Sequence, residues 1–260
     1  MRSRPTAGDA LIEQSRALFD WLRDLPLPRL DQESVLTGWD VRTLIGHLVL
    51  IEQGLVRVLG QSSSQPPLPA WQYVGRYRPS AAAIATSTAA VTGSDDGPEL
   101  ATRFGVAVTA TEKALATVLP DVVEAPRGPL RSADWIETRI IELVVHADDL
   151  SRSLPDREPV QLVRSAVGRT VRSLTLMLAD VHPGRSVEVR IPPYAAVQCG
   201  IGDPGPTHTR GTPPNVVETD ALTFLRLATG RTPWSAAIAS GAVRASGLRA
   251  DLSGALPLLS

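Results

Sequence analysis

WIETRIIELVVHADDL, residues 135–150, is the stretch that decides the fold of the first half of the chain. Helical spacing puts an apolar stripe on one face, namely Ile136, Ile140, Leu143, Ala147 and Leu150. Beside it runs a second line, within an arc of roughly 80° at about 100° per residue, formed by Trp135, Arg139, Glu142, His146 and Asp149. The far side is apolar as well, and a helix that is apolar nearly all round is typical of a buried one. We therefore expect Glu142 and His146, one turn apart, to be buried with polar partners or a metal ion.

A second helix is predicted in TGWDVRTLIGHLVLIEQGLVRVLG, residues 37–60. Asp40 is placed to cap its N-terminus. Its buried stripe is expected to consist of Leu44, Leu48, Ile51, Leu55 and Val58. His47 lies about 40° from Ile51, at the edge of that stripe, so its imidazole is predicted to point towards an interior.

The rest of the first half is predicted to be helical, with a first helix over residues 7–25 that ends before Pro26. A third helical region is expected over residues 80–119, broken near 93–97. Residues 120–129 then lead into the central helix, for which Ser132 or Asp134 is the expected cap. The segment SLPDREP, residues 153–159, predicts a boundary between a domain of residues 1–155 and a domain of residues 156–260.

The second half is predicted to be α+β. A helix over residues 160–178 precedes two short strands, Val187–Ile191 and Ala195–Cys199, around a proline turn. A strand over residues 215–218, a helix from Asp220, a helix near 234–240, a strand over Val243–Ser246 and a last short helix follow. The predicted fold class is therefore α plus α+β, a helical bundle followed by a small α+β domain.

Composition excludes several classes of protein. A formal net charge of −1 over 260 residues leaves no basic surface for nucleic acid. No apolar run reaches the length of a membrane span, and the first residues lack the apolar core of a signal peptide. The one cysteine, Cys199, excludes an internal disulfide and a CxxC metal site. We expect a cytoplasmic protein with no nucleic-acid or membrane partner, either monomer or dimer.

One histidine on one bundle helix and a Glu-x-x-x-His pair on another offer three metal ligands from two elements. Three nitrogen or oxygen ligands with an open fourth position are typical of a catalytic zinc site, and helical bundles build metal sites in this way. Arg139 and Asp149, one turn on either side, are placed either to orient the ligands or to contact a substrate. The alternative is a set of hydrogen-bonded core residues without a metal.

The motifs TGWDVRTLIGHL, residues 37–48, and R-x-x-E-x-x-x-H-x-x-D-L, residues 139–150, resemble the mycothiol-dependent maleylpyruvate isomerase family. The resemblance rests on Trp39, Asp40, His47, Arg139, Glu142, His146, Asp149 and Leu150. It implies a DinB-like four-helix bundle in which His47, Glu142 and His146 bind a divalent metal, usually zinc. HTRGTPPNVVETDALTFLRLATGR, residues 208–231, and VRASGLRADLS, residues 243–253, are similar to the sterol-carrier-like domain fused to such bundles.

The resemblance also implies a reaction. The metal takes the thiol of mycothiol and lowers its pKa, and the thiolate adds to a small electrophile for isomerisation, as of maleylpyruvate, or for S-transfer. An arginine of the C-terminal domain assists, and Arg231 in ATGR is the local match; the alternative is that it only caps the preceding helix. We assign cofactor binding to Arg139, Asp149 and Arg210, the last with His208 in a proline-rich loop.

Two other functions stay open from the sequence. In the first, the sterol-carrier-like half holds a lipid and the bundle is structural. In the second, the chain keeps the metal without the activity. Three intact ligands, His47, Glu142 and His146, favour the enzyme, because a structural bundle has no need of them.

Overall fold

Four long helices form the described part of the first half, because each carries an apolar face that has to be covered. The helices in this half are α1 (Ala7–Leu22), α2 (Val41–Leu59), the short α3 (Ala70–Val74), α4 (Gly97–Leu115) and α5 (Ser132–Ser153). Both α1 and α2 pack against α4 and against α5. This arrangement confirms the predicted helical bundle. The structure, a computed structural model, describes residues 5–77, 97–202 and 214–259, with Thr86 and Thr88.

The starts of α1 and α2 are set by side-chain caps. Thr6 and Asp9 form a reciprocal capping box at the start of α1. Asp40 caps α2 as predicted, and its carboxylate accepts a hydrogen bond of 2.7 Å from the backbone N–H of Thr43. Helix α1 ends at Leu22 instead of residue 25, because the residues that precede Pro26 are disfavoured in the helical conformation.

The entry to α5 differs from the prediction. Residues 122–131 form a β-hairpin, β1 (Val122–Ala125) and β2 (Gly128–Arg131), where a plain connection was expected. The predicted caps are wrong: Arg131 occupies the N-cap position without a side-chain hydrogen bond. Ser132 is the first helical residue, and its hydroxyl donates to the carbonyl of Pro120 instead. Strands of four residues, the second of which contains Pro129, are too short for an alternating pattern to show in the sequence.

The described residues of the second half form one mixed sheet with three helices. Its elements are α6 (Arg164–Val181), β3 (Val187–Ile191), β4 (Ala195–Cys199), β5 (Val216–Thr219), α7 (Ala221–Ala228), α8 (Trp234–Ala239) and β6 (Val243–Ser246). The strand order is β4-β3-β5-β6, in which only the β3–β5 pair is parallel. The predicted strands β3, β4 and β6 are confirmed.

The predicted last helix is wrong, because residues 247–259 form turns and bends. Gly254 and Pro257 interrupt this stretch, and both residue types disfavour a helix interior.

Contacts divide the chain into two compact units, Met1–Ala166 and Val167–Ser260, and each is described by itself. In the first unit, α5 is buried on nearly every side, as its sequence predicts: Ile140, Leu143 and Leu150 are fully inaccessible to solvent. Among the described residues, no helix combines the length and the apolar character needed to cross a membrane.

Candidate metal centre

Helices α2 and α5 bring the three predicted ligands together. Nε2 of His146 lies 3.2 Å from Oε2 of Glu142, and Nε2 of His47 lies 3.7 Å from the same oxygen. One ligand atom from each residue lies within 4.8 Å of the other two. The periodicity of α5 brings Glu142 and His146 together, and the packing of α2 against α5 adds His47.

The separations suit a small divalent cation. Zinc–ligand bonds of 2.0–2.2 Å in tetrahedral geometry place neighbouring ligand atoms about 3.3 Å apart. The two measured distances, 3.2 and 3.7 Å, lie on either side of that value. Three ligands leave a fourth position open, and the side chain of Glu142 retains 21% of its exposure, so the cluster can be reached from solvent.

Asp149 orients His146. Its carboxylate lies 3.0 Å from Nδ1 of His146 and is itself fully buried. The ring therefore donates its Nδ1–H to Asp149, and Nε2, which faces Glu142, is the nitrogen that would bind a metal after losing its proton. Burial lowers the pKa of His146, but the bonds to Asp149 and Glu142 outweigh it and raise that pKa. Asp149 thus lies fully buried at the Nδ1 side of the ring, while Glu142 lies at the Nε2 side.

His47 is held mainly by ring contacts. Its imidazole meets Trp39 edge-on at 5.3 Å between ring centroids and meets His146 edge-on at 4.9 Å. Nδ1 of His47 is buried and has no hydrogen-bond partner within the described part of the chain. Burial lowers the pKa of His47, Glu142 raises it and His146 lowers it again, so the net shift is downwards. A neutral imidazole is the form that binds a metal.

Glu142 is held as a carboxylate. Burial raises its pKa, but the bonds from His146 and His47 and the positive charge of Arg139 together hold that pKa well below its usual range. Glu142 is therefore ionised, as a metal ligand has to be, whereas the raised pKa of His146 means that a metal would have to displace the proton on its Nε2.

Arg139 lies beside the cluster. One guanidinium nitrogen is 3.9 Å from Oε1 of Glu142, the carboxylate oxygen that does not face the histidines. The guanidinium lies over the Trp135 ring, 4.3 Å from its centroid, and donates a hydrogen bond to the hydroxyl of Tyr77. Tyr77 was not singled out from the sequence. The only signal was its place in the aromatic stretch WQYVGRYRP after α2, because nothing local reveals a contact that spans 62 residues.

The other predicted site residues belong to the second half of the chain. Arg231 belongs to the second unit, where its guanidinium donates to the carbonyl of Thr229 at 2.8 Å, just after α7. His208 and Arg210 lie outside the described residues. Cys199 is fully buried, and burial raises its pKa to about 11, so its thiol is a packing group, as expected.

The fold and the cluster define a class of protein: a helical bundle with a His-Glu-His group between two of its helices, joined to a small α+β unit. The model of the mycothiol maleylpyruvate isomerase N-terminal domain matches residues 11–151, more than half of the chain, and the chain belongs to that family. The model of the bacterial SCP ortholog matches residues 163–258.

Two solved structures share this fold. The alignment with the crystal structure of the mycothiol-dependent maleylpyruvate isomerase covers 92% of this chain and 91% of that chain, with a TM-score of 0.60 and 16% sequence identity. That of a histidine-to-alanine mutant of the enzyme gives the same coverage and identity, with a TM-score of 0.61. No curated protein matches the chain.

Proposed function

We propose that the chain is a mycothiol-dependent enzyme of the maleylpyruvate isomerase type, with a divalent metal, zinc in the first place, held by His47, Glu142 and His146. The observation that carries this proposal is the convergence of three ligand atoms within 4.8 Å, with one ligand ring oriented by a buried carboxylate. Membership of the family and the matching fold support it. The cluster has the donor set and the open side of a catalytic site.

A divalent metal at this site supplies a Lewis acid that lowers the pKa of a thiol at its open position. The chain's own residues do the rest. His47, Glu142 and His146 hold the ion, and Asp149 keeps the proton on Nδ1 of His146, so that Nε2 stays available. Arg139 offers a fixed positive charge to an anionic cofactor or substrate on the side of Glu142. The thiolate would add to one carbon of the substrate's double bond. Rotation about the resulting single bond and elimination of the thiolate would isomerise the substrate, whereas protonation of the adduct would retain the new C–S bond.

The two halves of the chain are proposed to have different roles. Residues 1–155 bind the metal, and residues 156–260 supply Arg231 as a catalytic group and Arg210 as a cofactor contact. The hydrogen bond from Arg231 to Thr229 supports the simpler alternative, a cap on the end of α7. Alanine substitution of Arg231 and of Arg210 separates the two roles: full activity in both variants removes the second half from the chemistry.

The partners proposed are small molecules, a thiol and an electrophile, and the proposed location is the cytoplasm, where such a cofactor is available. Isomerisation and S-transfer are distinguished by their products. An isomerase returns the thiol unchanged after each turnover, whereas a transferase consumes one thiol for each molecule of substrate.

The first experiment is the metal content of the purified protein. We expect near-stoichiometric zinc in the wild type and its loss in His47→Ala and in His146→Ala. His182→Ala, which removes a histidine of the second unit, is the matched control and should keep the metal. Mycothiol with a panel of unsaturated keto acids then tests the reaction. A folded wild type that stays metal-free after zinc is supplied would contradict the proposal.

A further inference from the structure

The guanidinium of Arg139 is fixed by several contacts at once. It lies over the Trp135 ring at 4.3 Å, it donates to the hydroxyl of Tyr77, and its Nε lies 3.3 Å from the hydroxyl of Thr138. Its side chain keeps only 10% of its exposure. A long arginine side chain has many rotamers, so each contact reduces the number of positions open to its charge.

Tyr77 is the partner that comes from outside α5. It follows α3, and the guanidinium of Arg127 lies over its ring at 4.3 Å from the centroid. Burial raises the pKa of Tyr77 to about 12, so its hydroxyl stays neutral and accepts the bond from Arg139 without forming an ion pair. Trp135 and Thr138 belong to the same helix as Arg139 and move with it, whereas Tyr77 ties the guanidinium to a second element.

The position of this charge matters to any anion that binds at the centre. Two neutral imidazoles and one carboxylate leave a divalent ion with a single net positive charge. The negative charge of Asp149, which is bonded to His146, cancels this net positive charge. The positive charge of Arg139, 3.9 Å from Glu142, brings the net charge back to one. A centre with one net positive charge favours one anionic ligand over a neutral one.

We propose that Tyr77 is a positioning residue that keeps Arg139 beside Glu142, and that Arg139 held in this way strengthens the binding of a thiolate at the metal centre. The inference rests on the proposed function. It adds that Arg139, positioned by Tyr77, makes the metal centre prefer an anionic ligand.

Tyr73 provides a matched control within the same cluster. It is fully buried, and its ring meets the rings of Tyr77 and Trp135 edge-on at 5.9 and 6.0 Å. Its hydroxyl, unlike that of Tyr77, has no hydrogen-bond partner in the described part of the chain. Tyr73→Phe and Tyr77→Phe therefore remove the same atom from neighbouring rings, but only the second change removes a hydrogen-bond partner of Arg139.

The experiment uses the full chain loaded with Co²⁺, with 2-mercaptoethanol as the thiol probe. Cobalt affinity is measured by competition with a chelator, and thiolate binding by the sulfur-to-cobalt charge-transfer absorption as a function of thiol concentration and pH. We expect thiol binding to weaken roughly tenfold in Arg139→Gln and roughly three- to tenfold in Tyr77→Phe. The pH at which binding is half complete should rise in both variants, and Tyr73→Phe should match the wild type.

The double variant Tyr77→Phe/Arg139→Gln tests the positioning role. If Tyr77 acts through Arg139, the double variant binds thiol no more weakly than Arg139→Gln alone. If Arg139→Gln does not fold, Arg139→Lys replaces it, because lysine keeps the charge without the planar fork that the contacts need.

The outcomes separate the inference from the proposed function. A wild type that binds no cobalt overturns both. A wild type that binds cobalt and thiol, with Tyr77→Phe indistinguishable from Tyr73→Phe, overturns the inference and leaves the metal site standing. Additive losses in the double variant likewise overturn the positioning role.

Discussion

Asp149 and His146 are joined by a contact of 3.0 Å between the carboxylate and Nδ1, while Nε2 of the same ring faces Glu142 at 3.2 Å. One ring is thus held between two carboxylates, one fully buried and one with access to solvent. Because the buried carboxylate accepts the Nδ1–H, Nε2 on the side of Glu142 is the nitrogen that would bind a metal. The i, i+3 and i, i+4 spacings on α5 produce this arrangement without help from other helices.

Asp149→Asn should weaken metal binding by roughly 10- to 100-fold, since the amide still accepts a hydrogen bond but no longer makes His146 more basic. Chelator competition measures the loss. Asp20→Asn, at an exposed position on α1, is the control and should bind metal as the wild type does. An unchanged metal affinity in Asp149→Asn would show that the contact between Asp149 and His146 does not affect metal binding.

Glu52 should make the bundle less stable as the pH rises. It is buried, with Oε1 2.5 Å from the hydroxyl of Ser15 on α1 and Oε2 2.6 Å from that of Thr111 on α4. Ser15 also lies 3.0 Å from the carbonyl of Leu11, and it has one proton for two acceptors. A neutral carboxylic acid, which donates to Ser15 and accepts from Thr111, satisfies every group.

Burial raises the pKa of Glu52, and the charge of Glu112 raises it further. The bonds with Ser15 and Thr111 and the charge of Arg139 lower it, but the net shift is upwards. The stability that comes from the neutral acid is therefore complete below the unfolded pKa, near 4.5. It is lost as the pH rises from there towards the folded pKa.

Glu52→Gln imitates the neutral acid, so its free energy of unfolding should exceed that of the wild type by an amount that grows with pH. Each tenfold difference in ionisation is worth about 1.4 kcal/mol. Denaturant titrations between pH 4 and pH 8 test this, with Glu33→Gln, at an exposed position before α2, as the control. A difference that stays constant over this range would mean that Glu52 is ionised in the folded protein.

Asp40→Ala should lower the free energy of unfolding by about 1 kcal/mol, because the N–H of Thr43 loses its 2.7 Å bond at the start of α2. Asp40→Asn keeps the capping oxygen and should recover most of the loss. Chemical denaturation of the three proteins makes the comparison. Equal losses in both variants would point to the charge of Asp40, through the helix dipole, and not to its hydrogen bond.

Gln14→Ala should lower the free energy of unfolding more, by roughly 2 to 4 kcal/mol, because it leaves two backbone groups unpaired. The buried amide of Gln14 donates to the carbonyl of Gln161 at 3.1 Å and accepts from the N–H of Val163 at 2.9 Å. Gln53→Ala, at an exposed position on α2, is the matched control and should change the stability little. A loss no larger than that of the control would show that water replaces both bonds.

The sequence by itself determined the features that depend on spacing along one element. The burial of α5, the pairing of Glu142 with His146, the cap at Asp40 and the strands β3 and β4 all follow from local periodicity or local hydrogen bonds. The place of His47 at the edge of the α2 stripe put it in the predicted ligand set, the family motifs agreed, and the structure places it 3.7 Å from Glu142.

Only the tertiary structure decided the contacts between distant segments. Tyr77 meets Arg139 across 62 residues, and Glu52 meets Thr111 across 59. Such contacts depend on how α2, α4 and α5 pack, and the periodicity of each helix specifies which face is buried but not which residue of another element it meets. The hairpin of β1 and β2 was missed for a related reason, since its short strands are stabilised by pairing and by contact with α5 rather than by their own pattern.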